Sequence, residues 1–177
     1  MNRTDTNPFR FDTHSIARAG MIAAIYVVLT LIFKPISFSQ SGMLQFRISE
    51  ALTLLPVLTV DAVPGLFIGC LLANLLGGGI WFDVVLGSLA TLLAALCTRR
   101  FRSRPALAAI FPTIFNGLIV GPVVYFAYTK PAGDPVSTGT LLLCMGAVAL
   151  GELVVCYVLG LPMLQALKKL PDRALGN

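Results

Sequence analysis

The sequence has few charged residues for its length. Only 12% of its 177 residues are Asp, Glu, Lys or Arg, whereas 56% are hydrophobic. Ordinary soluble domains carry about 25% charged residues, because their surfaces face water. The composition therefore argues against a water-soluble enzyme, and the mean hydropathy of +0.85 favours a chain embedded in a membrane.

Motifs for catalysis and for metal binding are also lacking. The sequence has no GxxxxGK[ST] phosphate-binding loop, no HExxH motif and no nucleophile elbow, and its single histidine, His14, precedes the first apolar run. The cysteines lie in apolar runs without a CxxC pair, which is typical of small core residues. We expect no metal and no cofactor bound by this chain, and without a phosphate-binding loop it cannot hydrolyse ATP itself.

The apolar runs predict an all-α integral membrane protein with six transmembrane helices in one bundle. A span uses about 20 residues, so a chain of this length can supply six spans with short loops. The predicted membrane domain covers residues 14–168, between a polar N-terminal segment, 1–13, and a polar C-terminal tail, 169–177. We place the helices at residues 14–34, 47–60, 62–77, 82–98, 105–128 and 137–168. The last is longer than a straight span requires, and we expect it to bend near Gly160 to Pro162.

The cations predict the orientation of the bundle, since Lys and Arg resist translocation across a membrane. Three cations, Lys34, Arg47 and Lys130, fall on one side of the predicted bundle. Nine fall on the other side, before helix one, after helix four and at the end of the chain: Arg3, Arg10, Arg99, Arg100, Arg102, Arg104, Lys168, Lys169 and Arg173. Both termini are therefore predicted to be cytoplasmic, and the RRFRSR run needs no nucleic acid to explain it.

Polar side chains within the predicted helices are the candidates for a binding site, because polar groups inside a bilayer are costly and usually face a cavity. The predicted topology places Glu50, Asn74 and Asp83 in the extracellular half of the bundle. Asn116 and Glu152 lie deeper and can face the same cavity. Together they offer carboxylates and amides to a ligand.

Structural alternatives exist for most of these residues. Glu50 follows Arg47 by three residues, so the two can form an ion pair at a helix start. Asp83 can cap helix four, and the two asparagines can link helices by hydrogen bonds. Glu152 has no Lys or Arg within two helical turns in the sequence, so a role facing the ligand is favoured there.

Two aromatic residues adjoin candidate polar residues. Phe46 and Trp81 lie near the predicted outer surface, where aromatic side chains usually form an interfacial belt. Either ring can also stack on a planar ligand. Carboxylates, amides and a nearby aromatic ring suit a flat heterocycle rich in N–H donors.

Small residues recur at a spacing of four in several predicted helices. Ala19 and Ala23 form such a pair on helix one, and Gly65 and Gly69 form another on helix three. This spacing lets helices approach closely, most often within one chain. Spacing alone does not identify a partner.

Several runs resemble the QueT family of queuosine-precursor transporters. They are LQFRISEALTLLPVL at residues 44–58, AVPGLFIGCLLANLLG at 62–77 and DVVLGSLATLLAAL at 83–96. The likeness continues in FPTIFNGLIVG at residues 111–121 and in Gly151 and Glu152, and it extends from about residue 17 to residue 161. Members of this family are the substrate-binding S components of energy-coupling factor transporters.

The resemblance implies a six-helix, multi-pass S component in the cytoplasmic membrane of a prokaryote, which is not an enzyme. It would bind a 7-deazaguanine base, such as queuine or its aminomethyl or cyano precursor, and pass it to a transmembrane coupling protein. Two cytoplasmic ATPases would use the ATP. An AxxxA pattern on helix one forms the docking surface in such proteins, and Ala19 and Ala23 match it.

The resemblance also implies roles for the candidate residues. Glu50 or Glu152 would accept the N–H donors of the base edge, and the other carboxylate or Asp83 would meet the cationic arm of an aminomethyl precursor. The remaining edge would contact Asn74 and Asn116. The other members of the expected site are Arg47, beside Glu50, and Phe46 or Trp81, stacked on the ring.

Two further hypotheses stay open at this point. One is an S component for another vitamin-like heterocycle, and the other is a small proton-coupled secondary transporter that uses Glu152 as its proton site. The preferred precursor also stays open. The family often has an acidic residue soon after the glycine of helix five, whereas here Gly121 is followed by Pro122 and Val123.

Overall fold

The computed structural model describes residues 12–34, 46–130 and 133–169. Within these ranges the chain forms helices and no strand. The segments are α1 (Thr13–Ile32), α2 (Ile48–Val57), α3 (Ala62–Gly77), α4 (Trp81–Arg100), α5 (Pro105–Thr129) and α6 (Thr138–Leu167). The predicted all-helical fold is confirmed, and the six predicted helices match these segments in position. Most of the polar segment 1–13 and of the tail 169–177 lies outside the described residues, as do Arg3, Arg10 and Arg173.

Four of the described segments, α1, α4, α5 and α6, are long and apolar enough to cross a membrane. Large apolar side chains such as Met21, Leu75, Leu142 and Val158 are more than half exposed on the outside of the bundle. Apolar exposure around a whole bundle is typical of a surface that faces lipid. α2 and α3 are shorter, at 10 and 16 residues.

α2 is a 3₁₀ helix rather than the α-helix that we predict over residues 47–60. A 3₁₀ helix rises about 2.0 Å per residue, so its ten residues extend about 20 Å, which is farther than the same residues reach in an α-helix. Eight of the ten residues are buried, and Pro56, which has no N–H to donate, lies near the end. This segment runs through the interior of the bundle.

α5 and α6 contain π-helical stretches. α5 has them at Asn116–Val120 and Tyr125–Thr129, and α6 has one at Val155–Gly160. The third stretch ends at Gly160, where we predict a bend, and the helix then continues to Leu167; the bend itself stays a prediction. Pro162 cannot donate the usual backbone hydrogen bond, which accounts for an irregular stretch directly before it.

Glycines let α1 and α3 approach closely. A Cβ atom added to Gly65 would lie 2.7 Å from the carbonyl oxygen of Ala19, and one added to Gly69 would lie 3.0 Å from Cα of Ala23. The side chain of Ala23 is only 6% exposed. Internal packing therefore accounts for the small residues on this side of α1.

Hydrogen bonds at one end of the bundle join segments that are distant in the sequence. This end holds the start of α1, the α2–α3 connection, the end of α4 and the start of α5. The bonds run from Arg18 Nε to Asp61 Oδ2 at 2.7 Å, from Arg99 Nη1 to the carbonyl of Pro56 at 3.0 Å, and from Tyr157 Oη to the carbonyl of Ala106 at 2.7 Å. Because α1 and α3 start where α2 and α4 end, consecutive segments run in opposite directions.

Substituting Gly65 with Ala tests the close approach of α1 and α3. We expect Gly65→Ala to lower the free energy of unfolding by about 1–3 kcal/mol, because the new methyl group would press on the backbone of Ala19. Thermal unfolding in detergent measures the change.

Gly146→Ala is the matched control, since Gly146 is exposed on α6 and an added Cβ would meet no atom within 4 Å. This variant should unfold at or slightly above the temperature of the unsubstituted protein, because Ala favours helix over Gly. Equal melting temperatures for the two variants would contradict the close packing.

Candidate functional site

Buried polar side chains gather in the interior of the described bundle. They come from the start of α2, the end of α3, the start of α4, the middle of α5 and the middle of α6, and all are at most 7% exposed. The cluster, which we call the polar cluster, comprises Arg47, Glu50, Asn74, Asp83, Asn116 and Glu152. Buried charges and amides are costly unless they are paired, so their partners show what the cluster can bind.

The first part of the polar cluster is joined by protein hydrogen bonds. The guanidinium of Arg47 donates to Oδ1 of Asn74, and Nδ2 of Asn74 donates to the backbone carbonyl of Asp83 at 3.2 Å. Gly87 makes room for this amide, because a Cβ there would lie 3.0 Å from Nδ2 of Asn74. Asn74 therefore links α3 to α4 and to the residue before α2.

Asp83 lies in the first turn of α4, but Ile80 is the N-cap residue and no side chain caps this helix. The capping role is therefore not what buries Asp83. The guanidinium of Arg47 is near enough to attract the carboxylates of both Asp83 and Glu50. Arg47 thus interacts with polar side chains of three segments, Glu50 of α2, Asn74 of α3 and Asp83 of α4.

Glu50 is held by α1. The hydroxyl of Tyr26 donates to Oε1 of Glu50, and both side chains are fully buried. A second link lies one turn away, where the hydroxyl of Thr30 is 2.7 Å from the hydroxyl of Ser49. Tyr26 is absent from the site predicted from the sequence. The signal was a tyrosine in the middle of an apolar run, since a buried phenol hydroxyl needs a partner.

The second part of the polar cluster has atoms without partners. Oε2 of Glu50, Oε2 of Glu152 and both amide atoms of Asn116 are buried and make no hydrogen bond in the described part of the chain. Asn116 lies beside both carboxylates. Because buried polar atoms in native proteins are rarely unpaired, these four atoms indicate where a polar ligand binds.

Helix packing brings these three side chains together. Next to Asn116, a Cβ on Gly117 would lie 2.9 Å from Cβ of Ala149, so the backbone of α5 comes close to α6. Glu152 follows Ala149 by three residues and lies on the same face of α6. One turn later, Cys156 Sγ lies 3.9 Å from the carbonyl oxygen of Glu50, which brings α6 against α2.

The structure does not bring Trp81 into the polar cluster. Its side chain is 66% exposed and stacks on Phe82, with ring centroids 3.7 Å apart. This placement is typical of the interfacial belt rather than of a ring stacked on a buried ligand. Phe46 is half-buried directly before Arg47, which keeps it next to the cluster.

Ala19 and Ala23 lie on the side of α1 that packs on α3. α3 therefore covers the two residues that we predict to form the docking surface. Gly20 and Ala24, which are four residues apart, are small residues on the exposed side of α1. A partner helix can reach these two without displacing α3. Docking through Ala19 and Ala23 stays a prediction.

A groove of about 700 Å³ lies between α4 and α5. All of its lining residues are apolar, among them Phe82 and Leu86 of α4 and Leu118 and Phe126 of α5. Several of these side chains are also exposed on the outside of the bundle. The groove lacks the polar groups that would orient a base, so the polar cluster is the candidate site.

Comparisons with known proteins identify the family. The family model described as "QueT transporter" matches residues 16–169. The "Queuosine precursor transporter QueT" of Lactococcus lactis subsp. cremoris (strain MG1363) is 35% identical over 81 residues, which are 46% of this chain and 47% of that protein. The chain thus spans about half the length of this curated relative. No solved structure matches the chain. Because the family model covers most of the sequence, the chain belongs to the QueT transporter family, and its long apolar helices indicate a multi-pass membrane protein.

Proposed function

We propose that this protein is the substrate-binding S component of an energy-coupling factor transporter and that it imports a queuosine precursor, a 7-deazaguanine base. The observation that carries the proposal is the set of unpaired polar atoms on Glu50, Asn116 and Glu152 in the interior of the bundle. Membership of the QueT transporter family and the name of the Lactococcus relative support this substrate class.

The chemistry of such a base matches the free groups. Its N–H groups are donors, and carboxylate oxygens of Glu50 and Glu152 can accept them without competition from solvent. The amide of Asn116 can both donate and accept, so it can pair with a carbonyl oxygen and an adjacent N–H group. A sugar presents hydroxyl groups all around its ring, so it suits these acceptors less well.

The proposed topology is six spans with both termini cytoplasmic. The alternating direction of the segments supports it, since Arg18, Asp61 and Arg99 meet at one end. The cations that follow α4 and end α6 belong to the same end, which is the cytoplasmic end by the distribution of Lys and Arg. α2 spans as a 3₁₀ helix, whose larger rise supports a crossing by few residues.

Energy would come from partner subunits, because the sequence has no nucleotide-binding loop. The partners in this proposal are a transmembrane coupling protein and two cytoplasmic ATPases, in the cytoplasmic membrane of a prokaryote. The docking surface is α1, through its exposed small residues Gly20 and Ala24 beside the predicted pair Ala19 and Ala23. Small residues let the backbone of a second helix come close in a bilayer.

A second candidate function is a proton-coupled secondary transporter. It is favoured by Oε2 of Glu152, which is buried and unpaired in a membrane-length helix. Carboxylates at such positions carry protons in many transporters.

Isosteric substitutions of the two glutamates test the site. Glu50→Gln and Glu152→Gln should each weaken binding of the aminomethyl precursor about tenfold to a hundredfold, because a charge-assisted hydrogen bond contributes about 1.5–3 kcal/mol. Titration calorimetry of the detergent-purified protein measures the dissociation constant. Asp134→Asn is the control, since Asp134 is exposed in a loop outside the helices. The site assignment is wrong if all three variants bind as tightly as the unsubstituted protein.

Reconstitution separates the two candidate functions. In proteoliposomes, the protein together with the coupling protein and ATPases should accumulate the labelled precursor only when ATP is supplied. The protein alone, under an imposed proton gradient, should not accumulate it. Uptake by the protein alone would reject the S-component assignment and support the proton-coupled transporter.

Tryptophan substitutions test docking on α1. Gly20→Trp and Ala24→Trp should reduce ATP-driven uptake at least about tenfold yet leave binding by the isolated subunit unchanged, because a large ring prevents close helix packing. Leu142→Trp, at an exposed position of α6, is the control and should transport normally. Normal uptake by both α1 variants would exclude this surface. Ala23→Trp should instead lower the melting temperature, since Ala23 is packed on Gly69.

A further inference from the structure

The two buried glutamates of the polar cluster differ in how much of each carboxylate a ligand can reach. The hydroxyl of Tyr26 donates to Oε1 of Glu50, and both side chains are fully buried. Oε2 of Glu50 has no partner. Glu50 therefore has one oxygen that a protein hydroxyl already holds and one that has no protein partner among the described residues.

Tyr26 also fixes where that oxygen lies. Its own backbone carbonyl accepts from the hydroxyl of Thr30 at 2.8 Å, and Thr30 is bonded to Ser49, the neighbour of Glu50. Two links thus hold the first turn of α2 against α1. The carboxylate of Glu50 is oriented before any ligand arrives, which lowers the entropic cost of binding.

Glu152 is not restrained in this way. Its Oε2 is buried and unpaired, and among residues 12–34, 46–130 and 133–169 no hydroxyl donates to its carboxylate. The polar side chain beside it is Asn116, whose amide atoms are themselves unpaired. Among these residues, neither oxygen of Glu152 is therefore held by a protein hydroxyl in the way that Tyr26 holds Oε1 of Glu50.

A 7-deazaguanine base presents its N–H donors unequally. On the pyrimidine ring, a ring N–H and the exocyclic amino group point the same way and match the two oxygens of one carboxylate. The pyrrole ring has a single N–H at the other end of the base. The donor pair matches the carboxylate of Glu152, which no hydroxyl of the described residues holds, and the single donor matches the unpaired oxygen of Glu50.

We propose that Glu152 accepts the paired N–H groups of the pyrimidine ring and that Glu50, oriented by Tyr26, accepts the single pyrrole N–H. This assignment rests on the proposed function and deepens it. The sugar of a nucleoside is attached at the pyrrole nitrogen, which then has no N–H to donate. Contact with Glu50 therefore selects the free base against its nucleoside.

Deleting one donor at a time from the ligand tests the assignment. The ligands are the aminomethyl base, its analogue without the exocyclic amino group, and its furan analogue, in which oxygen replaces the pyrrole N–H. Each deletion should weaken binding to the unsubstituted full-length protein about tenfold to a hundredfold. Calorimetry in detergent gives the dissociation constants.

We call the loss of affinity caused by each deletion its penalty, and each glutamate variant should abolish only one of the two penalties. In Glu152→Gln the penalty for the missing amino group should fall to about threefold or less, while the penalty for the furan analogue persists. Glu50→Gln should show the reverse pattern. Each penalty is the ratio of two dissociation constants measured on the same variant, so a partly unfolded sample does not alter it.

Tyr26→Phe tests the positioning role. The penalty for the furan analogue should shrink, because Glu50 is no longer held, and the penalty for the missing amino group should persist. A purely structural role for Tyr26 would weaken binding of all three ligands by the same factor.

The outcomes separate this inference from the proposed function. The assignment alone would be overturned if the aminomethyl base binds tightly but Glu50→Gln removes the penalty for the missing amino group and Glu152→Gln removes the penalty for the furan. It would also be overturned if both penalties stay unchanged in every variant. Failure of the unsubstituted protein to bind the aminomethyl base, its cyano counterpart and queuine would overturn the proposed function itself.

Discussion

The hydrogen bond between Tyr26 and Glu50 is the contact on which the candidate site depends. A carboxylate in the interior of an apolar bundle must have a donor, and α1 supplies it from a position fully removed from solvent. The same contact holds the first turn of α2 beside α1, with the Thr30 to Ser49 link one turn away. Because only one oxygen of Glu50 is satisfied, the bond both stabilises the buried charge and leaves a defined acceptor for a ligand.

Irregular helices place the other polar groups around that acceptor. Glu50 belongs to a 3₁₀ helix, Asn116 begins a π-helical stretch and Glu152 lies three residues before another. Stretches of this kind recur at functional sites, because they redirect side chains that a regular α-helix would place elsewhere. The missing side chains of Gly87 and Gly117 then let α4 approach the amide of Asn74 on α3 and let α5 approach Ala149 on α6.

Much of this arrangement could be predicted from the sequence. Hydropathy placed all six helical segments, and the cost of burying polar groups selected the members of the polar cluster, from Glu50 to Glu152. The sequence predicted less well which of two possible roles a given side chain has. The ring of Trp81 is of a type that can stack on a ligand, but it faces outward and stacks on Phe82. Ala23 belongs to the predicted docking pair, but it packs on Gly69. Both outcomes depend on the rotation of a helix about its axis, which nearly uniform apolar sequence does not encode.

The sequence by itself determined the class of the protein, the position of its helices and the polar residues that need a partner, because hydropathy and charge act through composition and local order. Only the tertiary structure decided which partner each residue has. Arg47 donates a hydrogen bond to Asn74, 27 residues away, and does not interact with Glu50 alone. Glu50 in turn accepts a hydrogen bond from Tyr26, 24 residues earlier. Such pairings depend on which helices are neighbours and which faces they share, and these follow from the packing of the whole bundle.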